Sequence, residues 1–270
     1  MMFQGIRLGY LKTIKQLSRG AEASVLLVTD EFKQKYAVKA YINDPSRHMK
    51  NEIMMHRRLG NHDNISAPID DAIRIKKETH IYGELPSALV FKYYESGDLA
   101  DYYEEERYHY TEETLLKSMT GMWKGLVHCH KNNICHRDIK PQNILYDNET
   151  DNVLLSDFGL SCDSTKITNA GTSIYYSAPE CFGRHRHPPY DYKCDVWSAG
   201  ATFLTMLSGT HVLEENHGHN IRRLGYKYIK KHFKKGWNGL SIASQDILKH
   251  TLVPDPRDRC EAQDVVDIFA

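Results

Sequence analysis

The sequence HRDIKPQN at residues 136–143 is followed by DFG at residues 157–159. Both stretches are polar and lie in an otherwise apolar neighbourhood. Short apolar runs that flank polar loops predict short strands with acidic residues at their ends. We therefore expect Asp138, Asn143 and Asp157 to lie close together in space.

Two carboxylates and an amide on one platform are typical of phosphoryl transfer. One carboxylate orients the attacking hydroxyl and accepts its proton, while an Asn and a second Asp hold the Mg²⁺ that bridges the phosphates. The two stretches resemble the catalytic loop and the metal-binding triplet of the eukaryotic protein kinases, of the serine/threonine class. The resemblance extends from Tyr10 to Arg259. Compact kinases of this kind occur in large DNA viruses such as baculoviruses.

The fold that this resemblance implies is α+β and bilobal. A small antiparallel β-sheet lobe with one main helix, residues 1–94, would carry the ATP-binding sheet. A larger, mainly α-helical lobe, residues 95–270, would carry the catalytic loop, the activation segment and the substrate platform. The two lobes together would form one protein kinase domain, with ATP between them.

The implied function is transfer of the γ-phosphoryl group of Mg²⁺-ATP to Ser and Thr hydroxyls of protein substrates, basic proteins among them. The alternative is a pseudokinase, a scaffold that binds nucleotide or partners without catalysis. A small-molecule kinase is a second alternative, against which Lys140 and the sequence APE at residues 178–180 argue.

Composition narrows the classes of partner. The chain has 35 Lys and Arg against 35 Asp and Glu, so no overall charge favours nucleic acid or an anionic membrane. Its six cysteines form no CxxC pair and no zinc spacing, which favours reduced thiols. There is no leader-like segment at residues 1–12 and no long apolar run. We expect an intracellular protein of the cytoplasm or nucleus.

Residues 17–25, LSRGAEASV, lie between predicted strands at Tyr10–Leu17 and Val25–Thr29. They resemble the kinase glycine-rich loop, whose backbone N–H groups approach phosphate oxygens. Only Gly20 of the usual three glycines is present, because Ser18 and Ala23 occupy the other two places. An ordinary hairpin turn is the alternative interpretation.

The next strand, predicted at Tyr36–Ala40, contains Lys39, and a helix is predicted at Pro45–Leu59 after the helix-start signal Asp44-Pro45. Glu52 shares a helix face with Met55, His56 and Leu59, so it is expected to face the sheet and to pair with Lys39. By resemblance this Lys binds the α- and β-phosphates. A lysine and a glutamate in solvent are the alternative.

Two further strands are predicted at residues 72–82 and 88–93. By resemblance, Phe91 is the gatekeeper, Lys92–Tyr94 form the hinge that bonds adenine, and Asp98 contacts the ribose. The nucleotide-binding residues that the resemblance implies are Leu17, Ser18, Arg19, Gly20, Ala23, Val25, Ala37, Lys39, Phe91, Lys92, Tyr94, Asp98 and Leu145.

The remaining candidates follow from the same resemblance. The catalytic residues are Asp138 as base, Lys140 beside the transferring phosphoryl, and the pair Lys39 and Glu52; the metal ligands are Asn143 and Asp157. Arg137 implies activation by a phosphate on the following segment, where the candidates are Ser164, Thr165 and Thr168. Taken singly, each of the three is better interpreted as an ordinary loop residue. Thr172 or Ser173 is the expected contact of Asp138 and Lys140.

Several structural roles are also predicted. Thr111 begins a helix whose core stripe contains Leu115, Met119, Met122 and Leu126, extended by Trp123 and Val127. A buried helix is predicted at Lys193–Leu207, ended by Gly209. It contains Asp195, which by resemblance braces the catalytic loop. By the same resemblance, Glu180 is expected to pair with Arg259. The five lysines in Tyr226–Lys235 predict either a docking surface for acidic partners or a solvated helix face.

Overall fold

The computed structural model describes residues 11–41, 47–69, 88–105, 111–164, 173, 175–182, 191–209, 215–232 and 234–269. The chain divides into two compact units. The first comprises residues 1–61 and 66–95, and the second comprises residues 62–65 and 96–270. An antiparallel sheet characterises the first unit and helices dominate the second, which confirms the predicted α+β class.

The first unit has four described strands and one described helix. They are β1 (Lys12–Arg19), β2 (Ala23–Thr29), β3 (Lys35–Tyr41), α1 (Arg47–Leu59) and β4 (Ala88–Lys92). The sheet order is β1-β2-β3-β4, and each neighbouring pair is antiparallel. Apolar residues at every second position of β2 and β3 bury one face of the sheet, as period-two alternation requires.

The strand bounds differ from the sequence prediction by one or two residues. The β1–β2 ladder continues to the pair Arg19–Ser24, so Ser18 and Arg19 lie in a strand and the predicted loop shortens to residues 20–22. The strand predicted at 72–82 and the helix start at Asp44-Pro45 lie outside the described residues.

The second unit contains most of the helices. Its elements are α2 (Leu99–Glu105), α3 (Glu112–Lys131), β5 (Ile134–Cys135), β6 (Ile144–Asp147), β7 (Asn152–Leu155), β8 (Cys162–Asp163), α4 (Lys193–Ser208), α5 (Glu215–Leu224), α6 (Tyr226–His232), α7 (Lys234–Gly239), α8 (Ile242–Thr251) and α9 (Ala262–Ile268). Two small antiparallel ladders, β5–β8 and β6–β7, carry the polar loops. Within the described residues, no helix is both long and apolar enough to cross a bilayer.

Helix α3 is the central support of these loops. Thr111 caps it by accepting the Thr114 N–H, as predicted, and the predicted stripe is buried apart from Val127, which is partly exposed. Gly125 lets residues 62–65 approach closely, because a Cβ there would lie 2.7 Å from the Asn64 carbonyl oxygen. That carbonyl accepts the Leu155 N–H at 2.9 Å, which fixes β7 just before the DFG stretch.

Helix α4 is buried over most of its length, as predicted. Gly209 ends it in the left-handed conformation, with φ of 62°, and donates its N–H to the Thr205 carbonyl. Asp195 lies on the buried face of this helix and contacts the catalytic loop.

Candidate active site

In the first unit, a buried carboxylate meets a lysine and a tyrosine. The Lys39 ammonium lies 2.7 Å from Glu52 Oε2, and the Tyr41 hydroxyl donates to the same oxygen. Glu52 is fully buried while the Lys39 side chain is 14 % exposed. Because a buried carboxylate is costly without compensation, this ion pair is what allows Glu52 to face the sheet. The expected pairing is therefore present.

Tyr41 was missed by the sequence reasoning. Residues two apart in a strand point to the same side of the sheet, so Lys39 and Tyr41 both reach the buried face of α1. That period-two relation was the available signal. An aromatic residue at the end of a strand is so common that nothing in its own identity indicated a hydrogen bond.

Strand register brings several nucleotide-binding candidates together. Val25 lies opposite Lys39, and Ala37 lies opposite Phe91. Directly opposed residues share a face, and Ala37 and Lys39 are two apart, so the four side chains lie on one side of the sheet. Following β4, the Lys92 ammonium lies 5.1 Å from the centre of the Tyr94 ring.

The turn at Gly20 is tight. Its N–H donates to the Ala23 carbonyl at 2.9 Å, which closes the hairpin between β1 and β2. Gly20 does not adopt a positive φ, and an added Cβ would meet only the Ala23 oxygen, at 3.5 Å. The turn itself therefore does not require glycine. Leu17, Ser18 and Arg19 precede it in β1, where Ser18 lies opposite Val25.

In the second unit, Asp195 holds the start of the catalytic loop. Its carboxylate accepts the N–H groups of His136 and Arg137 at 2.7 and 2.8 Å, and His130 Nε2 lies 3.3 Å away. Burial raises the pKa of Asp195, but the hydrogen bonds from His130 and the Arg137 N–H, together with the electrostatic effects of His130 and His136, outweigh it, so the pKa lies below its ordinary value. Arg137 adopts φ of 72° within this clamp. The predicted bracing role is confirmed.

The Asp138 carboxylate accepts hydrogen bonds from three side chains. One oxygen accepts the Lys140 ammonium at 2.8 Å and the Asn143 amide nitrogen at 2.9 Å. The other accepts the Ser173 hydroxyl at 2.6 Å, and that hydroxyl lies 3.1 Å from Lys140 Nζ. Ser173 thus makes the contact that the sequence assigned to Thr172 or Ser173, and Thr172 lies outside the described residues.

Asn143 and Asp157 have the chemistry of a Mg²⁺ site. The Asn143 amide nitrogen also donates to the Asp138 carbonyl at 2.8 Å, so its two hydrogen bonds leave the amide oxygen to act as a ligand. Ser156, next to Asp157, donates its N–H to the Asn143 carbonyl at 3.0 Å. Asp157 has φ of 60° and accepts the Gly159 N–H. Carboxylate and amide oxygens are the ligands that Mg²⁺ prefers, so these residues fit the ion.

Asp98 and Leu145 are neighbours through an isolated antiparallel bridge. One Asp98 carboxylate oxygen accepts the N–H groups of Ala100 and Asp101, at 2.9 and 3.1 Å, and so caps the first turn of α2. The sequence reasoning missed this capping role, although Asp followed by an apolar residue is a helix-start signal.

The activation segment is described in part. Ser164 donates its N–H to the Asn133 carbonyl, whereas Thr165 and Thr168 lie outside the described residues. At the far end of the segment, the Glu180 carboxylate accepts both terminal nitrogens of Arg259, at 2.7 and 3.0 Å. This ion pair was predicted, and the Arg259 side chain is fully buried.

The cysteines near this site belong to the packing. All six are free, and Cys135 Sγ lies 3.5 Å from Cys194 Sγ, beside Asp195. Burial raises the pKa of Cys135, and the hydrogen bond with Cys135 raises that of Cys194. Both Asp195 oxygens already accept backbone N–H groups. Because a thiolate is the form that binds metal or reacts, these protonated thiols are suited to neither role.

Comparison with known proteins agrees with this geometry. A family model of the protein kinase domain matches residues 11–268. The chain belongs to the protein kinase family. It is 30% identical over 224 residues to calcium-dependent protein kinase 14 of Arabidopsis thaliana, an alignment that covers 81% of this chain and 40% of the relative.

Other relatives give the same picture. Calcium-dependent protein kinase 20 of Oryza sativa subsp. japonica is 30% identical over 264 residues, which cover 93% of this chain and 46% of the relative. Calcium-dependent protein kinase 3 of Plasmodium yoelii yoelii is 38% identical over 156 residues, or 55% of this chain and 28% of the relative. The kinase chain therefore spans less than half the length of these curated relatives.

Proposed function

We propose that this protein kinase transfers the γ-phosphoryl group of Mg²⁺-ATP to Ser and Thr hydroxyls of protein substrates. One observation carries the proposal: the Asp138 carboxylate and the Lys140 ammonium both contact one hydroxyl, that of Ser173. A carboxylate that accepts a hydroxyl proton beside a fixed cation is the arrangement that phosphoryl transfer to an alcohol requires.

Each group near Asp138 has a defined part in this proposal. Asp138 orients the substrate hydroxyl and accepts its proton, and Lys140 balances the negative charge that develops on the transferring group. The Asn143 amide oxygen and the Asp157 carboxylate hold Mg²⁺, and Mg²⁺-ATP supplies the phosphoryl group with its charge neutralised. Asp195 keeps the loop in the conformation that presents these groups.

The first unit supplies the nucleotide-binding part of the proposal. Lys39, held by Glu52 and Tyr41, offers an ammonium to the α- and β-phosphates. Its 14 % exposure leaves it accessible while the buried carboxylate fixes its position. The face shared by Val25, Ala37 and Phe91 is apolar and suits adenine. The hinge at Lys92–Tyr94 and the Gly20 turn complete the part that the first unit supplies, and Asp98 of the second unit is proposed as a ribose contact.

A transfer assay with a matched pair of variants tests the proposal. Labelled γ-phosphate from Mg²⁺-ATP would be followed onto a mixture of basic proteins, for wild type, Asp138→Asn and Asp246→Asn. Asp246 lies on α8 in a partly exposed pair with Lys249, so its variant controls for the Asp to Asn change alone. We expect Asp138→Asn to lose at least about a hundredfold, the lower range for a lost acid–base group, while Asp246→Asn keeps wild-type activity.

The same assay separates the kinase from a pseudokinase scaffold. Acid hydrolysis of the labelled proteins should give phosphoserine and phosphothreonine. Equal background transfer by all three proteins, with saturable Mg²⁺-ATP binding in a thermal-shift titration, would support the scaffold instead. Label on phosphotyrosine alone would contradict the proposed Ser/Thr specificity.

A further inference from the structure

Positive charge is concentrated in one part of this otherwise neutral chain. Between Asn216 and Gln245 there are two arginines and five lysines but no Asp or Glu. The whole chain balances 35 basic residues with 35 acidic ones. This segment forms α5, α6 and α7, so the imbalance is a property of one surface region and not of the protein as a whole.

Several apolar side chains of α5 and α6 are buried, whereas four of their cations are exposed. Ile221, Tyr228 and Ile229 are buried, and α6 packs against α8. The basic face, which we define as Arg223, Lys227, Lys230 and Lys231, is exposed. Its lysines lie at positions i, i+3 and i+4 of α6, so they project from one side of the helix.

Within the part of the chain that the structure describes, no acid compensates the charge of the basic face. Elsewhere in the described residues, some lysines pair with nearby carboxylates, as Lys117 does with Asp151 and Lys249 with Asp246. By contrast, none of the four basic-face residues forms an ion pair with another described residue. Like charges at i+3 and i+4 repel one another and destabilise the isolated helix. A face that only needed solvation would mix both signs of charge.

We propose that the basic face binds an acidic segment of another polypeptide, rich in Asp and Glu. Charge complementarity selects a polyanion. Single-stranded nucleic acid would also need aromatic side chains on which bases stack, but Tyr228 and Trp237 in this region are buried, and the partly exposed Tyr226 ring stacks with that of Trp237. Three of the four cations are lysines, which act as point charges and lack the fork that matches a phosphate in two places. This proposal does not depend on catalysis.

A binding experiment without ATP tests it. The anisotropy of a fluorescent peptide of alternating Glu and Asp would be measured with wild type and with the triple variant Lys227→Gln, Lys230→Gln and Lys231→Gln. The control triple variant, Lys117→Gln, Lys124→Gln and Lys131→Gln, removes the same charge from exposed positions of α3. Gln and Lys have similar helix propensity, so both variants should fold, which circular dichroism would verify.

We expect saturable binding by wild type that weakens at least about tenfold, or about 1.4 kcal/mol, in the α6 triple variant and changes little in the α3 control. Binding should also fall at about 0.5 M salt, where the Debye length is only about 4 Å. Equal losses in both triple variants, or no binding by wild type at low salt, would overturn the proposal. Tighter binding of a single-stranded oligonucleotide of equal charge would show that the basic face binds nucleic acid and not an acidic polypeptide.

Discussion

Asp138 and Asp195 are two buried carboxylates of the same unit that differ in the kind of donor they accept. Asp195 accepts two backbone N–H groups, from His136 and Arg137, and its one side-chain neighbour among these contacts, His130 Nε2, is more distant at 3.3 Å. Asp138 accepts side-chain donors, from Lys140, Asn143 and Ser173. Asp195 is 0% exposed and Asp138 is 5% exposed, so burial does not distinguish their roles.

The difference lies in what each donor can do when its carboxylate is removed. A backbone N–H is fixed by the fold and cannot turn toward water, so it remains buried and unsatisfied. A lysine or serine side chain can rotate toward solvent or accept a new partner. Asp195 is therefore expected to hold the structure, while Asp138 has partners that substrate and nucleotide can replace.

The largest expected effect tests this difference directly. Replacing Asp195 with Ala removes two hydrogen bonds to a charged group, which should lower the free energy of unfolding by about 3 to 6 kcal/mol. Asp138→Ala should lower it by no more than about 1 kcal/mol, the typical change for a point variant. Urea denaturation of both variants would measure the two values.

If Asp195→Ala is too unstable to purify, Asp195→Asn keeps one acceptor oxygen and provides a milder comparison. Its free energy of unfolding should still fall below that of Asp138→Asn, although the latter has lost more activity. Similar stability losses in the two Asn variants would show that donor type does not separate structural from chemical carboxylates here.

A smaller effect extends the comparison to two arginines in one short stretch. Arg259 is fully buried against Glu180 and also donates to the carbonyls of Val253 and Lys193. Removing one member of a buried pair leaves an uncompensated charge, so Arg259→Ala should cost about 3 to 5 kcal/mol. Arg257 pairs with Asp255 but its side chain is 82% exposed, so Arg257→Ala should cost less than about 1 kcal/mol.

Thermal unfolding of the two arginine variants would compare them under identical conditions. Arg257→Ala serves as the matched control, because it makes the same substitution two residues away in the same loop. Equal melting temperatures would mean that the Glu180 pair contributes no more than a surface ion pair, against the structural role assigned to it.

Sequence patterns predicted the contacts that depend on periodicity and on the kinase motifs. The apolar face of α1 placed Glu52 correctly, and the buried pattern of α4 required a partner for Asp195. The resemblance also identified the Glu180–Arg259 pair. These features follow from regular spacing within one element, or from motifs whose residues act together.

Contacts that depend on tertiary position were not predictable in the same way. Tyr41 reaches Glu52 only because β3 and α1 pack at a particular register. The choice of Ser173 depends on the path of a loop, and no spacing rule distinguishes it from Thr172. Likewise, the φ of Gly20 could not be predicted from the sequence; it is ordinary, so only the lack of a side chain can matter at this position.

The smallest expected effects concern two glycines: replacing Gly20 should change nucleotide binding, and replacing Gly60 should change stability. At Gly20 a Cβ would make only an ordinary contact, so Gly20→Ala should leave the free energy of unfolding unchanged. Because the added methyl group would occupy space beside the proposed phosphate site, the KM for ATP should rise about tenfold, equivalent to about 1.4 kcal/mol.

Gly60 provides the opposite case. It lies at the end of α1 with φ of +64° and open space around it, so an Ala there meets no neighbour but is strained. Gly60→Ala should lower the free energy of unfolding by about 1 to 2 kcal/mol and leave the KM for ATP unchanged. If Gly20→Ala has wild-type stability, the fold tolerates the methyl group. An unchanged KM for ATP in that variant would then show that the Gly20 turn does not belong to the nucleotide site.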